Sequence, residues 1–418
     1  MNKTLLDRFL TAGVKHGRLG VVFADGSAST YGSPAEGFPD VVVRFTDNRV
    51  PRDIVLDPRL GAAEAFMDGR LLVEAGGIME LVELLRANAA WDKGGNFGRP
   101  GRIKRLRNKA AFALEQFNTR VGSRSNVAHH YDIGNDLYRL MLDHEHMQYS
   151  CAYWPSLDIS LGRAQEAKLA HIAAKLAIDP GNTIVDIGCG WGGMAIYLAR
   201  HFDVRVTGIT LSQEQATLAR QRVATAGLAD RVAIELADYR DFAATGTQFD
   251  RIVSVGMFEH VGRPQFETFF EACATMLAED GVMLLHTIGR MGAPGTTDAF
   301  TRKYIFPGGY IPALSETLAA SEKVRLIATD IETLRLHYAY TLRAWYQRCL
   351  DHRDAIVALH DERFFRMWTF YLAGATAAFE HGGLCNYQIQ YARTRRALPL
   401  TRDYLFASEH ALVQQNSP

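Results

Sequence analysis

The stretch VDIGCGWGG, Val185–Gly193, sets four glycines behind a short apolar run that carries an acid, Asp186. Backbone that bare admits a close-approaching ligand, and three explanations compete: a dinucleotide, another adenosine-bearing cofactor, or a tight turn. The GxGxxG spacing of Gly188, Gly190 and Gly193 is weak evidence until its setting is known. A dinucleotide site calls for an acid at the end of the second strand, to bind ribose hydroxyls. The chain offers GITLSQEQ there, with Thr210 and Gln215, and ADYRDF after the third strand sets Asp238, Tyr239 and Arg240 where they would border an adenine. One glycine loop, no second phosphate-binding signature and Asp186 just before the glycines favour S-adenosylmethionine over NAD. Neither His129–His130 nor His144–His146 has the spacing of metal ligands, so no metal is implied.

The elements that must hold these residues are legible in the periodicity. TIVDIG predicts a strand and Trp191–Phe202 a helix; VRVTGIT and Gln213–Thr225 repeat the pair. RVAIEL, FDRIVSV and GVMLLHTI predict three more strands, with a helix near Pro264–Met276 before the last. Alternation of this kind means βαβ units and a parallel sheet covered on both faces. Long helical patterns follow at Leu336–Leu350 and Phe364–Phe379, then a strand-like YQIQYARTR. The first hundred residues differ: strand-like LGVVFA and DVVVRFT precede a helical region over GAAEAFMDGRLLVEAGGIMELVELLRAN. The predicted organisation is a smaller α+β domain at 1–98, a basic helical linker at 99–125 and a catalytic domain at 126–418.

At 418 residues the chain suits two or three domains, and 48% hydrophobic with 22% charged residues is the balance of a globular protein with a sizeable core. Lys+Arg and Asp+Glu are 46 each, so no global field points to nucleic acid. Five scattered cysteines without a CxxC pair argue against a zinc site or disulfide scaffold and for a reducing, cytoplasmic compartment. No apolar run is long enough to span a membrane or to act as a signal peptide. In Arg102–Arg120, Ile103, Leu106, Ala110, Leu114 and Phe117 recur at helical spacing beside Arg102, Lys104, Arg105, Arg107 and Lys109. Such a basic amphipathic helix suits an anionic lipid surface, although a solvated face is the ordinary reading of a charge run.

Several longer motifs occur together and in order: HHYDIGNDLYRLML (129–142), MQYSCAYW (147–154), GITLSQEQ, VGMFEHVG (255–262), LLHTIG (284–289) and LHYAYTLRAWYQR (336–348), followed by FFRMWTFYLAGATAAFEHG. The combination resembles the cyclopropane-fatty-acyl-phospholipid synthases, which include the mycolic acid cyclopropane synthases. The resemblance covers most of the chain from about Asn126 and extends more weakly into the N-terminal domain through DPRLGAAEAFMDGRL. It implies a class I S-adenosylmethionine-dependent methyltransferase fold, a Rossmann-like, mostly parallel sheet with helical insertions and an acyl-chain tunnel. It also implies transfer of the methyl group to the cis double bond of an unsaturated phospholipid acyl chain, with bound bicarbonate removing a proton to close a cyclopropane ring. By motif match, Tyr149, Ser150, Gly188, Gly190, Thr210 and Gln215 contact the cofactor, Tyr239 and Arg240 border its adenine, and Cys151, Glu259, His286, Ile288 and Tyr338 fall on the bicarbonate positions. A substrate embedded in a bilayer implies peripheral association with the inner face of the membrane. The oligomeric state, a homodimer included, stays open.

The chemistry suits these residue types. An alkene is a poor nucleophile and must be held in line with the sulfonium methyl. The resulting cation would be trapped by a permanent carboxylate at contact distance, whereas a small bound anion carries a proton away. His286, Tyr338 and the backbone near Cys151 and Ile288 offer donors for such an anion, and Glu259 an acceptor for its hydroxyl. Taken singly, each has a plainer role: Cys151 a small buried hydrophobe, His286 a satisfied core histidine, Glu259 a local cap, Tyr338 a packing residue, as are Trp191 and Trp345. Three rivals to ring formation are fatty-acyl methylation that stops short of closure, a small-molecule methyltransferase, and a non-catalytic lipid- or cofactor-binding protein.

Overall fold

The computed structural model describes residues 2–95 and 134–415. The basic stretch 102–120, the linker 99–125 and the pair His129–His130 lie outside the described residues. The described chain forms two compact units, each built from separated segments: 2–95, 297–307 and 342–384 in one, 134–296, 308–341 and 385–415 in the other. Residues 297–307 and 342–384, which sequence grouped with the catalytic domain, therefore cluster with N-terminal residues.

In the first unit, four strands run in the order β2-β1-β3-β4: β1 (Arg18–Val22), β2 (Ala28–Tyr31), β3 (Asp40–Phe45) and β4 (Leu71–Ala75). Alternation in DVVVRF buries Val41, Val43 and Phe45 on one face, against Leu6, Leu10 and Leu84. The single helical region expected over 61–88 is instead two helices, Pro58–Met67 and Ile78–Ala87, with β4 between them. Asp57 caps the first through Leu60 N–H, and the glycines at 69 and 76–77 bracket LLVEA, which pairs with β3. Strand pairing has overridden the helical pattern there. The late helix Glu362–Glu380 adds Ala373 to this core and sets Phe370 against Phe66, ring centroids 6.2 Å apart.

The second unit holds a seven-stranded sheet in the order β10-β11-β9-β8-β5-β6-β7. Its strands are β5 (Thr183–Ile187), β6 (Arg205–Thr210), β7 (Val232–Leu236), β8 (Phe249–Val255), β9 (Leu277–Arg290), β10 (Ile327–Leu334) and β11 (Leu384–Ala392). The five strands β9-β8-β5-β6-β7 are parallel, and β10 pairs with β11 antiparallel. The expected strands and the helix Gln213–Thr225 are present, and Ser212 caps that helix by accepting from Gln215 N–H at 3.2 Å. β9 begins four residues earlier than GVMLLHTI, because Leu277 already pairs with Phe249. The helix Leu161–Leu176 carries no clear signature: nine of its last eleven positions are buried, as are Ala164 and Gln165, and a helix buried nearly all round carries little amphipathic pattern. Strand order reverses at β5, where β6 lies on one side and β8 on the other, and the carboxyl ends of β5 and β8 open a crevice at that switch point.

Candidate active site

The loop after β5 is shaped by close contacts. Gly188 and Cys189 N–H both donate to Ile209 O, at 2.9 and 3.0 Å, tying the loop to the end of β6. Gly190 has φ +53°, and a Cβ there would meet no protein atom within 4 Å: the position faces open space in the cleft. Gly193 is required for a different reason, since a Cβ on it would overlap the His146 carbonyl oxygen and the Gln148 amide. The Trp191 indole donates to Asn135 Oδ1 at 2.8 Å and packs on Tyr138, which also meets Tyr149.

The far wall is equally local. Thr210 Oγ1 donates to Gln215 Oε1 at 2.9 Å, fixing the carboxamide at the start of its helix. Arg240 forks onto Asp238, with Nε to Oδ1 at 2.8 Å and Nη2 to Oδ2 at 2.6 Å, and its guanidinium lies 5.3 Å from the Tyr239 ring centroid. Asp186 is buried with Oδ2 lacking a hydrogen-bond partner, and burial, opposed by Lys168, pushes its carboxyl up to about 7. One cleft is lined by Tyr149, Ser150, Asp186, Gly188, Gly190, Thr210, Gln215, Tyr239 and Arg240, the nine residues singled out in the sequence for the cofactor. Gln148 and His260 line it as well and were not singled out. Burial lowers His260 to about 4, so the imidazole is neutral. Its signal in the sequence was adjacency to Glu259, and the short 3-10 turn Phe258–His260 gives the cleft the second of the two side chains.

Cys151, Glu259, His286, Ile288 and Tyr338 are absent from that lining. All but Ile288 are buried. The Ile288 N–H, expected to face a bound anion, donates to Glu259 Oε1 at 2.6 Å. Glu259 Oε2 has no hydrogen-bond partner, and burial raises the carboxyl to about 7 against the pull of that N–H. His286 is fully buried on β9, two residues before Ile288, with Asn386 Nδ2 3.2 Å from Nε2 and Gln388 Nε2 3.1 Å from Nδ1. Desolvation holds this imidazole far below its usual range, hence uncharged. Cys151 directly follows Ser150 of the cleft wall; its thiol donates to Ala152 O at 3.3 Å, and burial pushes it up. The next N–H, of Ala152, donates to Thr341 Oγ1 at 3.1 Å, one helical turn beyond Tyr338. Glu259 and Ile288 are thus in direct contact, while the Ala152–Thr341 bond joins the residue after Cys151 to the helix that carries Tyr338.

A parallel sheet reversing at β5, with a glycine-loop cleft at the strands' carboxyl ends, is a site for an adenosine-bearing cofactor, and its likeness to known proteins makes the class S-adenosylmethionine-dependent methyltransferase. A solved mycolic acid cyclopropane synthase, CmaA1 complexed with SAH and CTAB, superposes with a TM-score of 0.61 at 33% identity, covering 64% of this chain and 98% of that one. Residues 119–389 match the family model of mycolic acid cyclopropane synthetase, and the chain belongs to that family. Over 264 residues it is 44% identical to the cyclopropane-fatty-acyl-phospholipid synthase of Escherichia coli (strain K12), a match covering 63% of this chain and 66% of that enzyme, just under two thirds of its length. It is also 33% identical over 408 residues to the tuberculostearic acid methyltransferase of Mycobacterium tuberculosis, covering 92% of this chain and 90% of that one.

Proposed function

We propose that the protein is a cyclopropane-fatty-acyl-phospholipid synthase, converting the cis double bond of an unsaturated phospholipid acyl chain to a cyclopropane with bicarbonate as base. The observation that carries this reading is Glu259: a buried carboxyl, one oxygen anchored by Ile288 N–H and the other without a partner, one residue from the cleft lining. A carboxyl pushed up to about 7 can share a proton with a bound anion and is only partly ionised near neutral pH, so it carries less fixed negative charge beside a cationic centre than an ordinary glutamate. Bicarbonate, when bound, supplies a base that leaves no permanent carboxylate at the reacting carbon. Glu259 Oε2 would hold its hydroxyl, with Tyr338, His286 and Cys151 around it, while the neutral imidazole adds no charge. The nine-residue cleft would hold S-adenosylmethionine and direct its methyl group toward the alkene.

A second reading, fatty-acyl methylation without ring closure, is favoured by the near-full-length match to an enzyme named for fatty-acid methylation. Labelled S-adenosylmethionine and unsaturated phospholipid vesicles, with and without bicarbonate, separate the two. Mass spectrometry should show addition of one CH2, and NMR should show cyclopropane ring protons only for the first reading. Ring-free product overturns cyclopropanation; turnover indifferent to bicarbonate in rigorously CO2-free buffer overturns the base. We further infer a peripheral protein working at the inner face of a membrane, since the proposed substrate is an acyl chain embedded in a bilayer; among the described residues no helix is long and apolar enough to cross one. Replacing Lys104, Arg105, Arg107 and Lys109 with Gln should reduce flotation with anionic vesicles at low salt, each charge contributing on the order of 1 kcal/mol. Unchanged flotation would move docking elsewhere.

A further inference from the structure

Beneath the cleft wall formed by Met147–Ser150 lies a fully buried lysine that the chemistry above does not use. Lys168, on the helix Leu161–Leu176, is 0% exposed. Its ammonium donates to Gln148 Oε1 and, at 3.0 Å, to Ser150 Oγ. Three residues earlier on the same helix face, Gln165 Nε2 donates to Ser150 O at 3.0 Å and to Gln148 O at 3.4 Å. From the other end, the Asp143 carboxylate accepts the N–H groups of His146, Met147 and Gln148 at 2.7, 3.1 and 2.9 Å. This closes a turn in which Met147 takes the left-handed φ of +49°.

We propose that Lys168 is a positioning residue for the cofactor: its ammonium locks the side chains of Gln148 and Ser150 into the geometry in which they line the cleft. The bonding pattern decides what each presents. Gln148 is committed at both ends, its oxygen to Lys168 and its Nε2 to the His146 carbonyl at 3.2 Å. Its carboxamide is therefore a rigid plate, and Gly193 packs against it without a side chain. Ser150 Oγ accepts from Lys168, so its own proton is free to donate to an acceptor in the cleft. A buried cation needs compensation, and Asp143 and Asp186 supply opposite charge nearby, against a desolvation that pulls the ammonium down to about 7. The charge that holds the 147–150 wall thus also acts through space on the glycine-loop acid Asp186.

The inference rests on the cofactor cleft and not on which acyl chain is methylated, so it stands or falls separately from ring formation. The test is S-adenosylmethionine binding by calorimetry, with steady-state kinetics on unsaturated phospholipid vesicles. Lys168→Met should weaken cofactor binding roughly 10- to 100-fold and raise the cofactor KM in step, while the KM for lipid stays the same. Gln148→Leu and Ser150→Ala should each weaken binding in the parent and do little further in the Lys168→Met background. A folded Lys168→Met protein that binds the cofactor like the parent overturns the proposal, as does full additivity of the double variants. Should Lys168→Met fail to fold, the two single variants decide with Lys168 in place: unchanged cofactor affinity in both overturns it, and weakened affinity in both supports it.

Discussion

The cofactor cleft and the buried acid–imidazole region meet at the same strand ends but are assembled over different distances in the chain. In the cleft, Thr210 bonds a partner five residues away and Arg240 one two residues away. In the other region, Glu259 meets Ile288 across 29 residues, His286 meets Asn386 and Gln388 across 100 and 102, and Ala152 meets Thr341 across 189. Their electrostatics differ too: the cleft holds a forked Arg240–Asp238 ion pair, whereas Glu259 and His286 are desolvated toward their neutral forms. The Thr210–Arg240 wall of the cleft is fixed by local turns and carries a charged pair; the Glu259–His286 region depends on sheet order and disfavours charge. Substitutions in the first should therefore act on cofactor affinity, and in the second on turnover and on the pH dependence of stability.

The largest expected effect is Gly190→Val. A β-branched side chain at φ +53° is strained and would project into the cleft, so cofactor affinity should fall at least ~100-fold by calorimetry while the far-UV spectrum persists. Undiminished affinity would break the assignment of the cleft. Next comes Glu259→Gln, expected to lose roughly 100-fold or more in turnover with cofactor affinity within about threefold of the parent. Near-normal turnover would remove Glu259 from the chemistry.

The same variant sharpens the contrast in pH dependence. The Glu259 carboxyl sits at about 7 in the folded protein against 4.5 for an unperturbed glutamate. Between these values the folded state keeps a proton that the unfolded chain releases, so this group lowers stability as pH rises through the window. Glu259→Gln should gain about 1–3 kcal/mol relative to the parent between pH 4.5 and pH 8, read from denaturant midpoints. A constant difference across that range would show that the buried carboxyl is not perturbed. The smallest expected effect is Arg240→Lys, which gives up the fork onto Asp238 and should weaken the cofactor only about 3- to 5-fold. A loss as large as that of Gly190→Val would mean that Arg240 touches the cofactor's reacting end.

Distance along the chain also explains what could be read beforehand. Gly188, Gly190, Thr210 and Gln215 stand beside a strand and a helix whose periods are plain, and their cleft follows from βαβ geometry. The strand β4 was hidden because LLVEA continues a helical pattern, and only its pairing with β3 reveals it. Lys168 reads as one charge on an undistinguished helix until burial and two acceptors give it a role. Asn386 and Gln388 lie in a stretch legible as a strand, yet nothing in it points to an imidazole 100 residues upstream. The grouping of 342–384 with the N-terminal residues is likewise a matter of packing partners that no local pattern encodes.

The place of β11 governs the order in which the chain can finish folding. β10 occupies the end of the sheet and its strand neighbour is β11, so it stays unpaired until residues 384–392 leave the ribosome. In that interval the helices His337–Asp351 and Glu362–Glu380 emerge, and most of that stretch belongs by its contacts with N-terminal residues made long before. Neither core closes before residues 342–392 are made, and vectorial, domain-by-domain folding gives way to completion of both from segments translated well after the strands and helices they join. A nascent chain stalled before Leu384 therefore presents β9 and β10 as open edges, the kind of surface that recruits other strands.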